Sequence, residues 1–539
     1  MVSPAFANAA WIVAGAPAWM AFTRALEDPA REQEKVFGRY VKTGSQTAFG
    51  REHGLYPGMN YEQFARRVPV RDYDQLAPWI ERIRRGEGQV LTSDRVRRLI
   101  PTSGSTAARK LIPYTNESHR EFQRAVAPWI VDLYRQRPRA IAGPSYWSVT
   151  PIGNTSAPNS EHSAVPIGFE SDSEYLGGWH QMLVGAAMAV PNAVNRIDSI
   201  DALRYVTLLL LLRRRDLALI SVWHPSFLEL LLREIRERFD ELVGDVAGGS
   251  CTVTEHVPAA LRSMLQSRPN ARRAKELELA GPADVISLWP RLSVVSCWAD
   301  GPARAAAAQL GAALPGIAIQ PKGLLASEGV ISIPFAGNHP LAIRSHFFEF
   351  LDAAGRATLA SDLRAGETYS VVLTTGGGLW RYRLGDVVRV TGRCGATPTI
   401  SFLGKSGLVS DLRGEKLSEG FVADVLARLF AGHPPQPAFA LLAPACDAAG
   451  LCYTLYVDSP PATPLHESLD ELLSANPQYA YCRRLGQLLP PRIVVAGRDA
   501  YAAYCRRLTA EGQRLGDIKP ACLSTRDGWS TVFAGRSER

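Results

Sequence analysis

Five short blocks carry the residue types that handle phosphate, carboxylate and cation chemistry. The first is Thr102-Ser103-Gly104-Ser105-Thr106-Ala107-Ala108-Arg109-Lys110, entered from the strand-like run Val96 to Pro101. Small residues let a phosphate approach the backbone, while turn N–H groups, hydroxyls and Lys110 hold negative oxygens. A Walker loop is excluded: it needs Gly-Lys-Ser/Thr, and Lys110 stands between Arg109 and Leu111. The alternative is a polar turn joining two elements.

The second block, Leu324-Leu325-Ala326-Ser327-Glu328-Gly329, follows the short apolar run Ile317 to Gln320. Glu328 then lies just beyond a strand's carboxyl end, where open α/β sheets bind ligands. A carboxylate beside phosphates needs a cation between them, and Mg²⁺ takes one or two carboxylates plus phosphate oxygens. Glu328 is therefore the candidate metal ligand, with a turn glutamate as the equal alternative. In the third block, Thr374 to Arg389, a strand enters Gly376-Gly377-Gly378 and ends at Gly385-Asp386. Asp386 is placed to accept from ribose hydroxyls, or is a turn aspartate. The fourth block is Phe402-Leu403-Gly404-Lys405-Ser406-Gly407 with Leu412-Arg413-Gly414-Glu415-Lys416-Leu417. The fifth is Gly516-Asp517-Ile518-Lys519-Pro520. Lys519 is either a long ammonium reaching into a cleft or an exposed loop lysine.

The elements that must position these blocks follow from composition and periodicity. A chain of 539 residues with 46% hydrophobic and 21% charged residues exceeds one ordinary core and has a soluble globular balance. The net charge of +8 is scattered, and Arg213-Arg214-Arg215 reads as a solvated helix end rather than a nucleic-acid site. Only eight basic residues are lysine: Lys35, Lys42, Lys110, Lys275, Lys322, Lys405, Lys416 and Lys519. The other basic residues are arginine, a skew suggesting a GC-rich bacterial genome, and a lysine kept against it can be needed as a compact point charge. The eight cysteines form no Cys-x-x-Cys pair, which fits reduced cytoplasmic thiols. Ala9 to Phe22 is apolar but interrupted by Gly15 and Pro17, and reads as a docking helix, not a signal peptide or membrane span.

Residues 1–95 read as helical. Further helices are predicted at His119 to Gln136, Ile200 to Leu212 and Pro225 to Leu242. Strands are predicted at Ser145 to Pro151, Leu217 to Trp223, Val294 to Trp298, Gly316 to Ile319, Ser370 to Thr375, Val387 to Thr391 and Thr399 to Leu403. Alternating strands and helices imply an α/β body. A domain boundary is expected between Phe402 and Arg413.

Together the blocks resemble the acyl-acid amido synthetase family named for its auxin-responsive plant members, in its bacterial branch. That family lies within the adenylate-forming superfamily of acyl-CoA synthetases, peptide-synthetase adenylation domains and luciferases. The most specific pieces are Lys110-Leu111-Ile112-Pro113-Tyr114, Tyr382-Arg383-Leu384-Gly385-Asp386-Val387-Val388 and Arg413-Gly414-Glu415-Lys416-Leu417. The resemblance implies a large N-terminal domain, residues 1–405, of helix-flanked sheets and a β-barrel-like part. A small mobile α/β domain, residues 406–539, would carry Lys416 and Lys519.

It also implies a reaction. A carboxylic acid attacks the α-phosphate of ATP, and an amino acid amine then displaces AMP from the acyl-adenylate. A thiol or another amine is the alternative acceptor. By this match Ser103, Gly104, Ser105, Thr106 and Lys110 hold phosphate, Ala326 and Ser327 lie near adenine or the α-phosphate, and Glu328 binds Mg²⁺. Asp386 binds ribose with Arg389 and Phe402 nearby, Lys416 contacts ribose or phosphate, and Lys519 neutralises the α-phosphate and acyl oxygen. Trp147, Trp179, Val222, Trp223 and Phe227 would line the acyl pocket, although core packing serves each equally well. His224, followed by Pro225, reads as structural. Leu324 and Lys405 depart from the common aromatic and arginine at their positions. A cytoplasmic monomer acting on small molecules, without nucleic acid or membrane, is expected.

Overall fold

The computed structural model describes residues 3–102, 110–148, 163–168, 185–197, 199–406, 408–413, 415–431, 436–447, 450–460, 465–511, 513 and 518–533. The first part is helical: α1 (Pro4–Ala25), α2 (Pro29–Gly44), α3 (Ala48–Glu52), α4 (Tyr61–Arg67), α5 (Tyr73–Arg84) and, after a β-hairpin, α6 (Asn116–Gln136). Side-chain caps from Ser3, Asp28, Thr47, Asn60, Asp72 and Thr115 start these helices by accepting otherwise unpaired N–H groups.

Helix α1 runs through the interruption expected at Gly15 and Pro17. Gly15 marks its crossing with α6: a Cβ there would lie 2.6 Å from Val131 Cγ2. Pro17 forfeits only a bond to the Val13 carbonyl, and Val13 is solvent-exposed, so water can substitute. By length and composition α1 could cross a bilayer. It packs on α6 with Trp11 and Phe22 buried, while Asn8 donates to the carbonyls of Ile141 and Gly143 and accepts from Tyr134.

Strands β1 (Arg98–Thr102) and β2 (Lys110–Tyr114) form an antiparallel hairpin that pairs Thr102 with Lys110. The residues expected to hold phosphate between them, Ser103, Gly104, Ser105 and Thr106 among them, lie outside the described residues. A parallel sheet follows in chain order: β3 (Ser145–Trp147), β4 (Leu219–Ser221), β5 (Val294–Cys297) and β6 (Ala318–Pro321). The helix Ile200–Leu212 forms as predicted. The helix expected over Pro225 to Leu242 is two, Pro225–Glu237 and Phe239–Gly248, broken at Arg238. Arg238 leaves helical backbone geometry there and sets its guanidinium 4.1 Å from the Tyr205 ring centroid, paired with Glu241. Leu208, Leu212, Ile220, Ile235 and Leu277 close the apolar core behind this sheet.

After β6 comes a tight hairpin, β7 (Leu325–Ala326) with β8 (Gly329–Val330). The barrel-like part is a five-stranded antiparallel sheet in the order β10–β9–β11–β12–β13. Its strands are β9 (Phe347–Leu351), β10 (Ala357–Leu359), β11 (Thr368–Thr374), β12 (Tyr382–Cys394) and β13 (Thr397–Lys405). Strand β12 is far longer than the Val387 to Thr391 expected, because bulges after Val387 and Val390 let it bend and stay paired.

Beyond Ser406 the chain builds a further sheet and cores of its own. A short ladder, β14 (Val409–Ser410) with β15 (Leu417–Ser418), leads into the helix Glu419–Leu429. Strands β16 (Ala440–Asp447), β17 (Gly450–Val457) and β18 (Arg492–Val495) form a mixed sheet in that order. Leu426, Leu442, Leu455 and Leu469 pack one side, and Tyr456, Tyr504, Trp529 and Phe533 the other. This unit meets the preceding part through the Arg233–Asp499 ion pair, His224 stacked on Tyr501 at 5.3 Å, and the Lys405 N–H bonded to Glu419.

Candidate active site

The carboxyl ends of β4, β5 and β6 present three successive segments along one sheet edge: Val222-Trp223-His224, Trp298-Ala299-Asp300 and Lys322-Gly323-Leu324. Open α/β sheets receive ligands at this edge. A cavity of about 210 Å³ lies there, walled by His224, Trp298, Asp300, Leu324, Asp386 and Phe402 on one side. The C-terminal unit closes the other side with Glu419, Tyr504, Lys519, Pro520 and Trp529.

Sheet register explains one charge pair. Asp386 on β12 is the direct cross-strand partner of Lys405 on β13, and Lys405 Nζ stands 3.2 Å from its carboxylate. Burial opposes the Lys405 charge, but Asp386, Glu328 and Glu419 outweigh it and hold the ammonium above its usual range. Ser327 and Glu328 form the two-residue turn of the β7–β8 hairpin, with Ser327 exposed and Glu328 half-buried. Burial raises the Glu328 carboxyl, Asp386 raises it further, and Lys405 and Lys519 pull it back. Glu328, Asp386, Lys405 and Lys519 thus form one electrostatic cluster of two acids and two lysines drawn from four separate segments.

Lys519 reaches this cluster because its segment is pinned to the C-terminal sheet. Leu523 bridges Leu442 on β16, Leu442 donates to the Cys522 carbonyl, and the Tyr504 hydroxyl donates to the Lys519 carbonyl at 3.1 Å. The ammonium lies 5.1 Å from the Trp298 ring centroid. Phe402 borders the same cavity, with its N–H directed to Asp300 at 3.4 Å.

Other predicted residues lie elsewhere. Lys110 starts β2 and sits 5.7 Å from the Tyr73 ring, at the base of the hairpin loop. Ala326 is half-buried in β7. Arg389 is exposed and pairs with Asp424 of the C-terminal unit at 3.7 Å. Lys416 is exposed in left-handed backbone geometry and does not border the cavity. Val222 is fully buried, and Phe227 packs against the core behind the sheet. Trp147 and Trp223 stand at the sheet edge, and Trp179 lies outside the described residues.

Two residues gain importance from the structure. The structural reading of His224 is half the account. It caps the helix Pro225–Glu237, its Nδ1 accepting from the Ser226 N–H, and burial drives its pKa down to about 3. The ring is therefore neutral with its proton on Nε2, and among the described residues Nε2 has no hydrogen-bond partner. Nε2 is itself buried, and the ring forms part of the cavity wall, stacked on Tyr501. The second residue, Lys322, is buried beneath Trp129, Trp147 and Trp223. Its only sequence signal was the scarcity of lysine.

Residues 18–318 match the model of the GH3 family N-terminal domain, and residues 339–405 match that of the GH3 family central domain. The chain is 23% identical to "Indole-3-acetic acid-amido synthetase GH3.4" of Arabidopsis thaliana over 73% of this chain and 70% of that protein. It is 23% identical to "Probable indole-3-acetic acid-amido synthetase GH3.12" of Oryza sativa subsp. japonica, over 94% and 93% respectively. Among solved structures, a "GH3.15 acyl acid amido synthetase" superposes with a TM-score of 0.80 at 19% identity, covering 96% of this chain and 95% of that one. A 2-hydroxyisobutyryl-CoA ligase in the postadenylation state superposes with a TM-score of 0.50 at 12% identity, covering 94% and 90%.

Proposed function

The chain belongs to the GH3 family, and from that premise we propose that it is an ATP-dependent acyl acid amido synthetase. In the first step a carboxylate oxygen attacks the α-phosphorus of ATP. The bond to the bridging oxygen breaks, and pyrophosphate leaves. In the second, an amino acid amine attacks the acyl carbon, the single bond from that carbon to the phosphate oxygen breaks with its electrons leaving on AMP, and the amine's extra proton goes to solvent. The relatives named as indole-3-acetic acid-amido synthetases support amide formation.

The observation that carries the reading is Lys519. A segment of the C-terminal unit delivers one ammonium across the cavity to the Glu328–Asp386–Lys405 cluster. Nucleotidyl transfer needs in-line placement and cations where negative charge accumulates, and little covalent chemistry from side chains.

For Mg²⁺, the donor set fits an ion brought with the nucleotide. Lys405 already offsets Asp386, leaving Glu328 as a carboxylate whose buried charge a cation would relieve. Among the described residues no group of three or more His, Cys, Asp and Glu side chains forms a protein cage. One carboxylate plus phosphate oxygens is the usual Mg²⁺ arrangement, and the ion would supply charge neutralisation on the triphosphate. The free cysteines and the need for ATP support work in a reducing cytoplasm, and the preference for arginine over lysine supports a bacterial source.

Acid-dependent exchange of labelled pyrophosphate into ATP tests the first step. Exchange with at least one carboxylic acid is expected, and silence across a broad acid panel would overturn the reading. Mass spectrometry of products with amino acids and coenzyme A in competition should give acyl-amino acids; acyl-thioesters alone would replace amide formation with the thiol alternative.

A further inference from the structure

Lys322 is 3% exposed, and among the described residues no carboxylate pairs with it. Its Nζ donates to Ser221 Oγ and otherwise faces indole rings: Trp129, Trp147 and Trp223, with centroids at 5.4, 5.3 and 5.2 Å. The box is fixed from behind. Trp129 Nε1 donates to Gln320 Oε1 at 3.1 Å, and Trp147 Nε1 donates to Ser145 Oγ at 3.0 Å. Both indole N–H groups are thereby committed to strand residues, and ring faces remain for the ammonium.

A methionine would fill this box without desolvating a charge. Burying a cation costs heavily unless it is paired and hydrogen-bonded, and three ring faces with one hydroxyl compensate only in part. Two ammonium N–H groups remain without an oxygen acceptor among the described residues.

The box also has a direction. Trp223, 37% exposed, leans on Trp298 at 5.5 Å between centroids, and the Lys519 ammonium lies 5.1 Å from the Trp298 centroid. Each of two lysines thus neighbours one ring of a touching indole pair at the ligand-binding edge of the sheet. Lys519 marks the end where the reacting carboxyl sits.

Resting on the ligase reading above, we infer that Lys322 is a specificity-determining residue of the acyl site. It donates to an oxygen at the far end of the acid and selects acids whose tail carries a hydroxyl or second carboxylate. Burial supports this role by drawing Lys322 down to about 7, a charge an anionic tail would restore. The titratable side chain acting on it among the described residues is Cys297, whose thiol burial pushes up to about 12 and so keeps neutral.

The test compares pyrophosphate exchange with phenylacetate, 4-hydroxyphenylacetate and 4-carboxyphenylacetate. The native enzyme is expected to favour the oxygen-bearing acids by roughly tenfold or more in kcat/KM, mainly through KM. Lys322→Met should collapse that ratio towards one, while Lys322→Arg should keep the preference for the carboxylate tail. The native preference for 4-carboxyphenylacetate should also fade above about pH 7, and this decline should be absent in Lys322→Arg, whose guanidinium stays charged. The hydroxyl and carboxylate arms separate a neutral from an anionic tail. Quenching of tryptophan fluorescence by each acid measures binding independently of turnover. If Lys322→Met does not fold, Ser221→Ala and Lys322→Arg carry the same comparison. Equal use of the three acids by the native enzyme, or a ratio unmoved by substitution, overturns the role of Lys322 alone. Exchange with no acid at all overturns the ligase reading instead.

Discussion

Two groups of charges invite comparison. One lies inside the antiparallel sheet. Arg381 Nε and Nη2 bond the Glu349 carboxylate at 2.7–3.1 Å, and Arg381 Nη1 donates to the carbonyls of Ala65 and Val68. Tyr61 donates to the same carboxylate at 2.7 Å. Both charged side chains are almost fully buried, and their bonds tie α4 to β9 and to Arg381, just before β12. The other group is Glu328, Asp386, Lys405 and Lys519 at the cavity, where one carboxylate is raised by burial and two lysines answer two acids across a gap. The first group is saturated from within and holds the fold. The second is left incomplete, as a site must be if a polyanion is to complete it.

The sharpest way to break this contrast is at Arg381. Arg381→Ala leaves the Glu349 charge buried and unpaired, and breaking such a pair costs about 3–5 kcal/mol. Chemical denaturation should show that loss with the variant's remaining folded fraction still binding ATP. A stability change within experimental error would make the saturated group as dispensable as a surface pair.

Lys519→Ala should do the reverse. Lys519 is exposed, so unfolding should be nearly unchanged. Removing one donor aimed at developing negative charge costs on the order of 10²–10³-fold in rate. Acid-dependent pyrophosphate exchange should fall by that factor with nucleotide binding retained, and native exchange rates would remove Lys519 from the first step.

The contrast also shows what the chain's sequence makes legible. Local rules reached far: capped helices such as Ile200–Leu212 formed where periodicity placed them, and the runs ending near Cys297 and Pro321 became strands of one parallel sheet. Asp386 and Lys405 were each visible as motif residues. Their pairing was not, because it depends on bulges that shift the β12–β13 register, and bulges leave little trace in composition. Lys322 lay still deeper. Its partners Trp129, Trp147, Ser221 and Trp223 come from three segments far from it in the chain, and only folding brings them within reach. Arg389 and Lys416 show the opposite: motif residues that the folded chain leaves outside the cavity.

Glu328→Gln sharpens the comparison through stability. A carboxyl whose folded pKa lies above its unfolded value holds its proton more tightly when folded. Stability therefore falls as pH rises through that window, and the full cost is present at neutral pH. The variant should unfold later than the native protein at pH 7, by about 0.5–2 kcal/mol, while losing the native Mg²⁺ dependence of exchange. The stability difference should vanish below about pH 4, where both forms are neutral. A destabilised variant at pH 7 would place Glu328 with the saturated group.

Arg389 gives the smallest expected effect and the finest discrimination. The resemblance puts it near ribose, yet its guanidinium reaches Asp424 of the helix Glu419–Leu429 at 3.7 Å, with both side chains about half exposed. An exposed pair of this kind contributes roughly 0–1 kcal/mol and weakens with salt. If Arg389 latches the C-terminal unit over the cavity, Arg389→Ala should lower both half-reactions by at most about fivefold, the energy of such a pair. The difference from the native enzyme should shrink as salt rises, and Asp424→Ala should reproduce it, with the double variant no worse than either single one. A nucleotide contact behaves differently. It would raise the KM for ATP at least tenfold, persist at high salt, and show no coupling to Asp424. That second pattern would move Arg389 from the latch into the site, and would mean that the incomplete group of charges extends further along β12 than Asp386.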